Sequence, residues 1–157
     1  NTTEEIQVYM VLEQKGLKNI IKLDKKICLK WRRTYLLVLN LPLPPSVNHY
    51  WGVHGHRRFV SKAGKEFKLQ VQDYVVEHCV PKMGEKRLQM QVTLYPRDKR
   101  KQDIDNRIKA LWDALAEAGV FDNDEQIDVL IVQRGEIRKG GGCLVMIDEI
   151  DVEPRQE

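Results

Sequence analysis

The sequence predicts an α+β domain in which a small mixed β-sheet is covered by one or two helices. Three observations lead there. Leu88, Met90, Val92 and Leu94 alternate with polar residues, the period of a half-buried strand. Ile104, Ile108, Leu111 and Leu115 recur at helical spacing. Between residues 35 and 150 the two patterns run in the order strand, helix, strand, helix, strand, strand, which builds one sheet with helices laid on it. A chain of 157 residues suits a single domain.

Each element has a local reason. Residues 2–15 carry Ile6, Met10 and Val11 at helical spacing and predict a short helix stopped by Gly16. For residues 17–33, where apolar and basic residues mix, three assignments stay open: an added strand, an arm for a partner subunit, or an extra DNA contact. Residues 1–33 are therefore set apart as an amino-terminal extension, with the main domain at 34–157. Tyr35-Leu36-Leu37-Val38-Leu39 reads as a buried strand, ended by Leu41-Pro42-Leu43-Pro44-Pro45, whose prolines remove ladder donors. A polar and aromatic loop follows from Ser46 to Phe59. Ser61 predicts the N-cap of a helix from about 62 to 79 with Phe67, Val71, Tyr74 and Val75 on one face, and Pro81 and Gly84 then break the chain.

The strand from Leu88 to Tyr95 leads through a loop, 96–102, into the second helix, for which Gly119 is the expected stop. Ile127 to Gln133 and Gly142 to Ile150 are two closing strands, joined through a glycine-rich stretch.

Composition excludes several classes. With 42% apolar and 31% charged residues, no window reaches the roughly 18 uninterrupted apolar residues of a membrane span. The first residues, Asn1-Thr2-Thr3-Glu4-Glu5, lack the basic-then-apolar order of a signal peptide, so a cytoplasmic address is expected. Cys28, Cys79 and Cys143 are odd in number and widely spaced, which predicts reduced thiols rather than a disulfide frame or structural zinc. The net charge of +3 says little by itself. Its distribution says more, because bases gather at 97–109 and acids at 122–128.

The chemistry concentrates in Asp103-Ile104-Asp105-Asn106, preceded by Arg97, Lys99, Arg100 and Lys101 and followed by Lys109 and Asp122-Asn123-Asp124. Hard divalent cations take oxygen ligands, and phosphate backbones take lysine and arginine. Side chains two apart on a helix diverge by about 200°, so Asp103 and Asp105 share an ion only if Asp103 sits at the cap and Asp105 in the first turn. Two acids at a helix start are also ordinary dipole-opposing caps. Lys109 falls four after Asp105 and four before Asp113, where it contacts a scissile phosphate or belongs to a surface ladder. Asn106 is placed to orient a carboxylate or a metal-bound water, and Asp124, with Asp122 as its rival, to fold back as a third oxygen ligand.

The arrangement resembles the RusA family of Holliday-junction resolvases. The resemblance is carried by Leu41-Pro42-Leu43-Pro44-Pro45-Ser46-Val47-Asn48, by Asp103-Ile104-Asp105-Asn106 with Lys109, by Ala114-Leu115 and Ala118-Gly119, and by Asp122-Asn123-Asp124-Glu125-Gln126. It covers about Tyr35 to Ile150. It implies metal binding by aspartates that match Asp103, Asp105 and Asp124, and a catalytic lysine that matches Lys109. It further implies Mg²⁺ dependence, a homodimer with two active sites, and paired cuts across a four-way DNA junction, in a bacterial or phage setting. The choice between Mg²⁺ and Mn²⁺ stays open. So do two other readings: a branched-DNA binder without catalysis, and a flap or fork nuclease.

Arg97, Lys99, Arg100 and Lys101 are the expected phosphate contacts, together with Asn48, Arg57 and Arg58 from the polar loop. Tyr50, Trp51 and Phe59 are candidates for stacking on opened bases, against core packing for Trp51 and Phe59. His54 and His56 lack a third ligand and are read as DNA or solvent contacts, and Trp112 as core or dimer interface.

Overall fold

The computed structural model describes residues 7–14, 17–22 and 35–150. The expected α+β architecture is present: a six-stranded mixed sheet, a separate two-stranded hairpin, and two long helices. The strands are β1 (Gln7–Gln14), β2 (Leu17–Lys22), β3 (Tyr35–Leu41), β4 (Trp51–His54), β5 (Arg57–Val60), β6 (Leu88–Tyr95), β7 (Ile127–Arg134) and β8 (Gly142–Glu149). The helices are a single turn α1 (Val47–Tyr50), α2 (Lys62–Glu77) and α3 (Ile108–Glu117). The large sheet runs β2-β1-β3-β8-β6-β7. Strand β8 is antiparallel to both β3 and β6, whereas β6 and β7 are parallel. The two closing strands are thus not neighbours, because β6 lies between them.

Alternation decides which side is covered. Leu88, Met90, Val92 and Leu94 of β6, Leu37, Leu39 and Leu41 of β3, and Cys143, Val145 and Ile147 of β8 are all buried. They meet Phe67 and Val71 of α2 and Ile108, Leu111 and Leu115 of α3 in one core. Each such side chain contributes about 1.5–3 kcal/mol by leaving water. Burial in the interior also pushes the Cys143 thiol up to about 12.

Two helix boundaries follow the sequence closely. Ser61 caps α2, its hydroxyl accepting from the Gly64 amide at 3.2 Å. At the end of α3, Gly119 takes φ +80°. Its amide donates to the Ala116 carbonyl and that of Val120 to Leu115, both at 3.0 Å, which completes a Schellman stop.

Three expectations are corrected. Residues 7–14 form a strand, not a helix, and pair in parallel with β3. A helix of that length is marginal alone, whereas the free side of β3 satisfies the backbone of a segment rich in β-branched and aromatic residues. Residues 17–22, for which three assignments stood, form a strand antiparallel to β1; residues 23–33 lie outside those described. The stretch 46–59 is not a loop: it is α1 followed by the β4–β5 hairpin. Gly55, at φ +61°, takes the first central position of its two-residue turn, where a positive φ keeps the twist of the flanking strands.

Candidate active site

The acidic motif emerges from β6. Asp103 does not take the cap position set as the condition for sharing an ion with Asp105: Ile104 holds it and Asp105–Arg107 form a 3₁₀ turn before α3 begins at Ile108. Asp103 instead accepts from Asn106 Nδ2 at 3.2 Å, so Asn106 orients a carboxylate as its spacing suggested. The Asp105 carboxylate is exposed and has no hydrogen bond or ion pair among the described residues, while its carbonyl accepts from the Ile108 amide.

What holds this segment is Arg107, which is 7% exposed and went unnoticed in the sequence. Its guanidinium donates to the Pro44 carbonyl and to Gln102 Oε1, tying the acidic turn to the proline-rich segment 63 positions away. Burial, and then the charge of Arg97, lower its affinity for the proton. Arg134 at the end of β7 donates to the Gln102 carbonyl, so the loop is clamped from two sides.

Lys109 lies on the exposed flank of α3, one turn past Asp105. Its ammonium stands 2.8 Å from Asp113 Oδ1 and 2.8 Å from Asp124 Oδ2. Hydrogen bonds to these carboxylates, Asp113 first, hold its pKa far above the ordinary lysine value. At neutral pH it is therefore a fixed cation and no proton acceptor. Between Asp124 and Asp122, the ammonium selects Asp124. Tyr50 reaches the same network, its hydroxyl donating to Asp113 Oδ2 at 3.2 Å. Burial, then Asp113, raise the Tyr50 pKa. Tyr50 is fully buried, which corrects its candidacy as a base-stacking residue.

The turn that presents Asp124 is built on Gln126, the second residue that sequence reading missed. Its side chain is 4% exposed and donates to the Gly84 and Lys86 carbonyls at 2.6 and 2.8 Å. It also accepts from the Asp122 and Asn123 amides at 2.8 and 2.7 Å. The only local signal was the Asn-x-x-Gln spacing of a capping box, which Asn123 and Gln126 complete.

Next to the acidic turn lies a cleft of about 570 Å³. Arg97, Arg100, Lys101, Asn48 and Asp103 line it, whereas Lys99, Arg57 and Arg58 do not. Arg100 is partly neutralised within its own loop, its side chain meeting Asp98 Oδ2 at 2.8 and 3.1 Å, and this pairing holds the Asp98 carboxyl below its usual range. Arg57 and Arg58 are exposed on β5 of the hairpin. Trp51 and Phe59, at 38% and 47% exposure, are not core residues. The Phe59 ring lies over Gly52, its cross-strand partner, at a distance no side chain there would permit. Trp112, by contrast, packs against the core.

In kind, the carboxylates of Asp103, Asp105 and Asp124 suit a hard divalent cation, and the Asp124 seat already attracts positive charge. Among the described residues no group of three His, Cys, Asp or Glu side chains gathers around one point that could hold a metal ion. Asp103 faces the basic cleft, Asp124 the smaller pocket beside Lys109. Among the same residues no helix is long and apolar enough to cross a membrane.

Residues 42–148 match the family model described as endodeoxyribonuclease RusA. The chain is 34% identical over 111 residues to the crossover junction endodeoxyribonuclease rusA of Enterobacteria phage HK97, covering 71% of this chain and 92% of that protein. It is 29% identical over 113 residues to the crossover junction endodeoxyribonuclease RusA of Escherichia coli strain K12, covering 71% and 93%. The corresponding protein of Enterobacteria phage 82 is 28% identical over 112 residues.

Proposed function

The chain belongs to the RusA endodeoxyribonuclease family, and we propose that it resolves four-way DNA junctions by Mg²⁺-dependent, paired symmetric nicks as a homodimer. The observation that carries this reading is Lys109, an ammonium fixed at 2.8 Å from Asp124 and one helical turn beyond Asp105, in a segment whose Asp103 lines a cleft with Arg97, Arg100 and Lys101. A non-catalytic DNA binder would gain nothing from carboxylates set beside phosphate.

The catalytic unit spans residues 34–157, with 1–33 as an extension whose strands lengthen the sheet. Asp103, Asp105 and Asp124 would hold the metal. A bound Mg²⁺ supplies Lewis-acid polarisation of the scissile phosphate and activation of the attacking water. Asn106 orients the Asp103 carboxylate. Lys109 places a permanent positive charge where negative charge grows on the phosphoryl oxygens, and it does so without proton exchange. Asp113, to which the Tyr50 hydroxyl donates, holds that ammonium together with Asp124. Arg97, Lys99, Arg100 and Lys101 contact backbone phosphates, joined by Asn48 and, on the hairpin, by Arg57 and Arg58. These contacts position the substrate without reading bases. A junction has two equivalent strands to cut, so two active sites related by a two-fold axis fit it.

The test is cleavage of a labelled synthetic four-way junction in Mg²⁺, alongside a linear duplex and a forked duplex, by the wild type and Asp105→Asn. Symmetric nicks in the junction alone, lost in a variant that still binds it, are expected. Cutting of the fork in preference to the junction would replace the substrate assignment, and binding without cutting would end the enzymatic one. Chelation of the metal should abolish cutting and leave binding measurable.

A further inference from the structure

The β4–β5 hairpin sets exposed aromatic and basic side chains side by side. Its register divides them between two faces, because directly opposed residues of an antiparallel pair lie on the same side. Trp51 with Val60 and Val53 with Arg58 share one face; Gly52 with Phe59 and His54 with Arg57 share the other. On the first face Val60 lies against Gly64 of α2, and Trp51 stands edge-on to Tyr50 at 5.0 Å. On the second, Phe59 is 47% exposed, and His54 and Arg57 are exposed beside it.

Phe59 is seated as well as exposed. Its ring lies over Gly52, where a β-carbon would collide with it. Glycine inside a strand often marks the close approach of another group, and here that group is the ring. One side of Phe59 thus rests on backbone while the remaining surface stays open. The hairpin is closed at its root by Ser61, whose amide donates to the Tyr50 carbonyl at 2.8 Å and whose hydroxyl donates to that of His49. Asn48 and His49, just before the hairpin, line the same basic cleft as Asp103.

Charge selects the occupant. Residues 46–61 contain two arginines, three histidines and no carboxylate. Among the described residues neither Arg57 nor Arg58 has an ion pair. An open ring beside uncompensated cations suits a nucleobase and its phosphate: the ring takes the base face and the guanidinium the backbone. Arg57 lies two residues from Phe59 on the same face, about 7 Å along the strand. An apolar protein segment would leave both arginines unanswered.

We propose that Phe59 is a stacking platform for an unpaired nucleobase where the strands part in branched DNA, with Arg57 on the adjoining phosphate. This rests on the branched-DNA reading given above and adds a residue that tells a branch from a linear duplex. In a duplex each base is already stacked between neighbours, and taking it out costs free energy, least where it is already unpaired. The platform therefore contributes at a branch, whereas the basic cleft contacts phosphates in either substrate.

Binding of the full chain is measured with a chelator present, to a synthetic four-way junction and to a linear duplex. Phe59→Leu keeps apolar bulk and loses the ring; it should weaken junction binding about five- to hundredfold and leave duplex binding unchanged. Phe59→Trp should retain junction binding. Val53→Ala, 68% exposed on the opposite face, should match the wild type. A second measurement needs no variant: a junction carrying iodouracil at the branch point, irradiated in the complex, should cross-link to Phe59, read by peptide mass spectrometry. Iodouracil within the duplex should not. Equal losses on junction and duplex, wild-type affinity in Phe59→Leu, or a cross-link outside the hairpin would each overturn the proposal. A change of sedimentation in Phe59→Leu would also overturn it, by giving this face to a second copy. Junction binding indifferent to Phe59 removes the platform alone; a wild type that binds no junction removes the junction-resolving activity and the platform with it.

Discussion

The two acidic segments are held in place by different means. Asp103 and Asp105 stand on a turn clamped through Arg107, a buried cation that reaches the Pro44 carbonyl and Gln102. Asp124 stands on a turn clamped through Gln126, a buried neutral amide with four backbone partners. The first segment leaves Asp105 exposed; the second offers Asp124 to the Lys109 ammonium. A site that must accept a divalent ion and a polyanion needs carboxylates that are rigidly placed but not internally neutralised. Here the scaffold residues take up the hydrogen bonding, and of the three aspartates only Asp124 is paired with a cation, Lys109.

The largest effect that sharpens this contrast falls on activity. Lys109→Met should lower cleavage about 10²–10³-fold, the loss seen when one preorganised charge is removed. Its exposed ion pairs should shift stability by less than about 1 kcal/mol. Single-turnover cleavage and urea unfolding of the same preparation separate the two. A stability loss matching the activity loss would make Lys109 a structural ladder residue.

Next come the two clamps. Gln126→Ala removes four hydrogen bonds, leaving the Asn123 amide and the Lys86 carbonyl without that partner while Asp122 and Gly84 keep their own backbone bond. Arg107→Ala strands two acceptors, and each substitution costs about 2–4 kcal/mol. Denaturant midpoints should therefore fall in both. The comparison predicts a split in function: Arg107→Ala should disturb Asp103 and its basic cleft, weakening junction binding, while Gln126→Ala should spare binding and lower the cutting rate. Equal effects on binding would erase the distinction.

The smallest effect concerns pH. The Lys109 pKa is raised, so its stabilising contribution is complete below the ordinary lysine value of 10.5 and is lost only as pH climbs through the higher folded one. No change from Lys109 is expected from about pH 6 to 9. At about pH 9 an amine-reactive probe should label Lys109 more slowly than the exposed Lys62, and Asp124→Asn should narrow the gap, read by peptide mass spectrometry. Equal labelling in the wild type would contradict the fixed-cation role.

Much of this was legible in the sequence because it is local. The alternation of β6, the Ser61 cap and the Gly119 stop depend on neighbours within a turn or two, and the structure retains them. What escaped is long-range. Arg107 meets Pro44 across 63 positions and Gln126 meets Gly84 across 42, and no short spacing announces either. The hairpin over 51–60 was read as loop because its polar and aromatic residues masked a two-residue turn with glycine. Tyr50 looked available for stacking, but its neighbour Trp51, at an edge-on angle of 80°, takes the exposed side. Residues 7–14 were mistaken for a helix since short apolar segments fit either period until a sheet edge decides.

The proposed metal site draws on both acidic segments, beside Lys109. Fe²⁺ substituted for Mg²⁺, with ascorbate and peroxide, generates hydroxyl radicals that cut the backbone next to the bound ion. Cuts at both 103–106 and 122–125, suppressed together by excess Mg²⁺ and absent in Asp105→Asn, are the predicted result. Cuts confined to one segment, or unaffected by Mg²⁺, would contradict it.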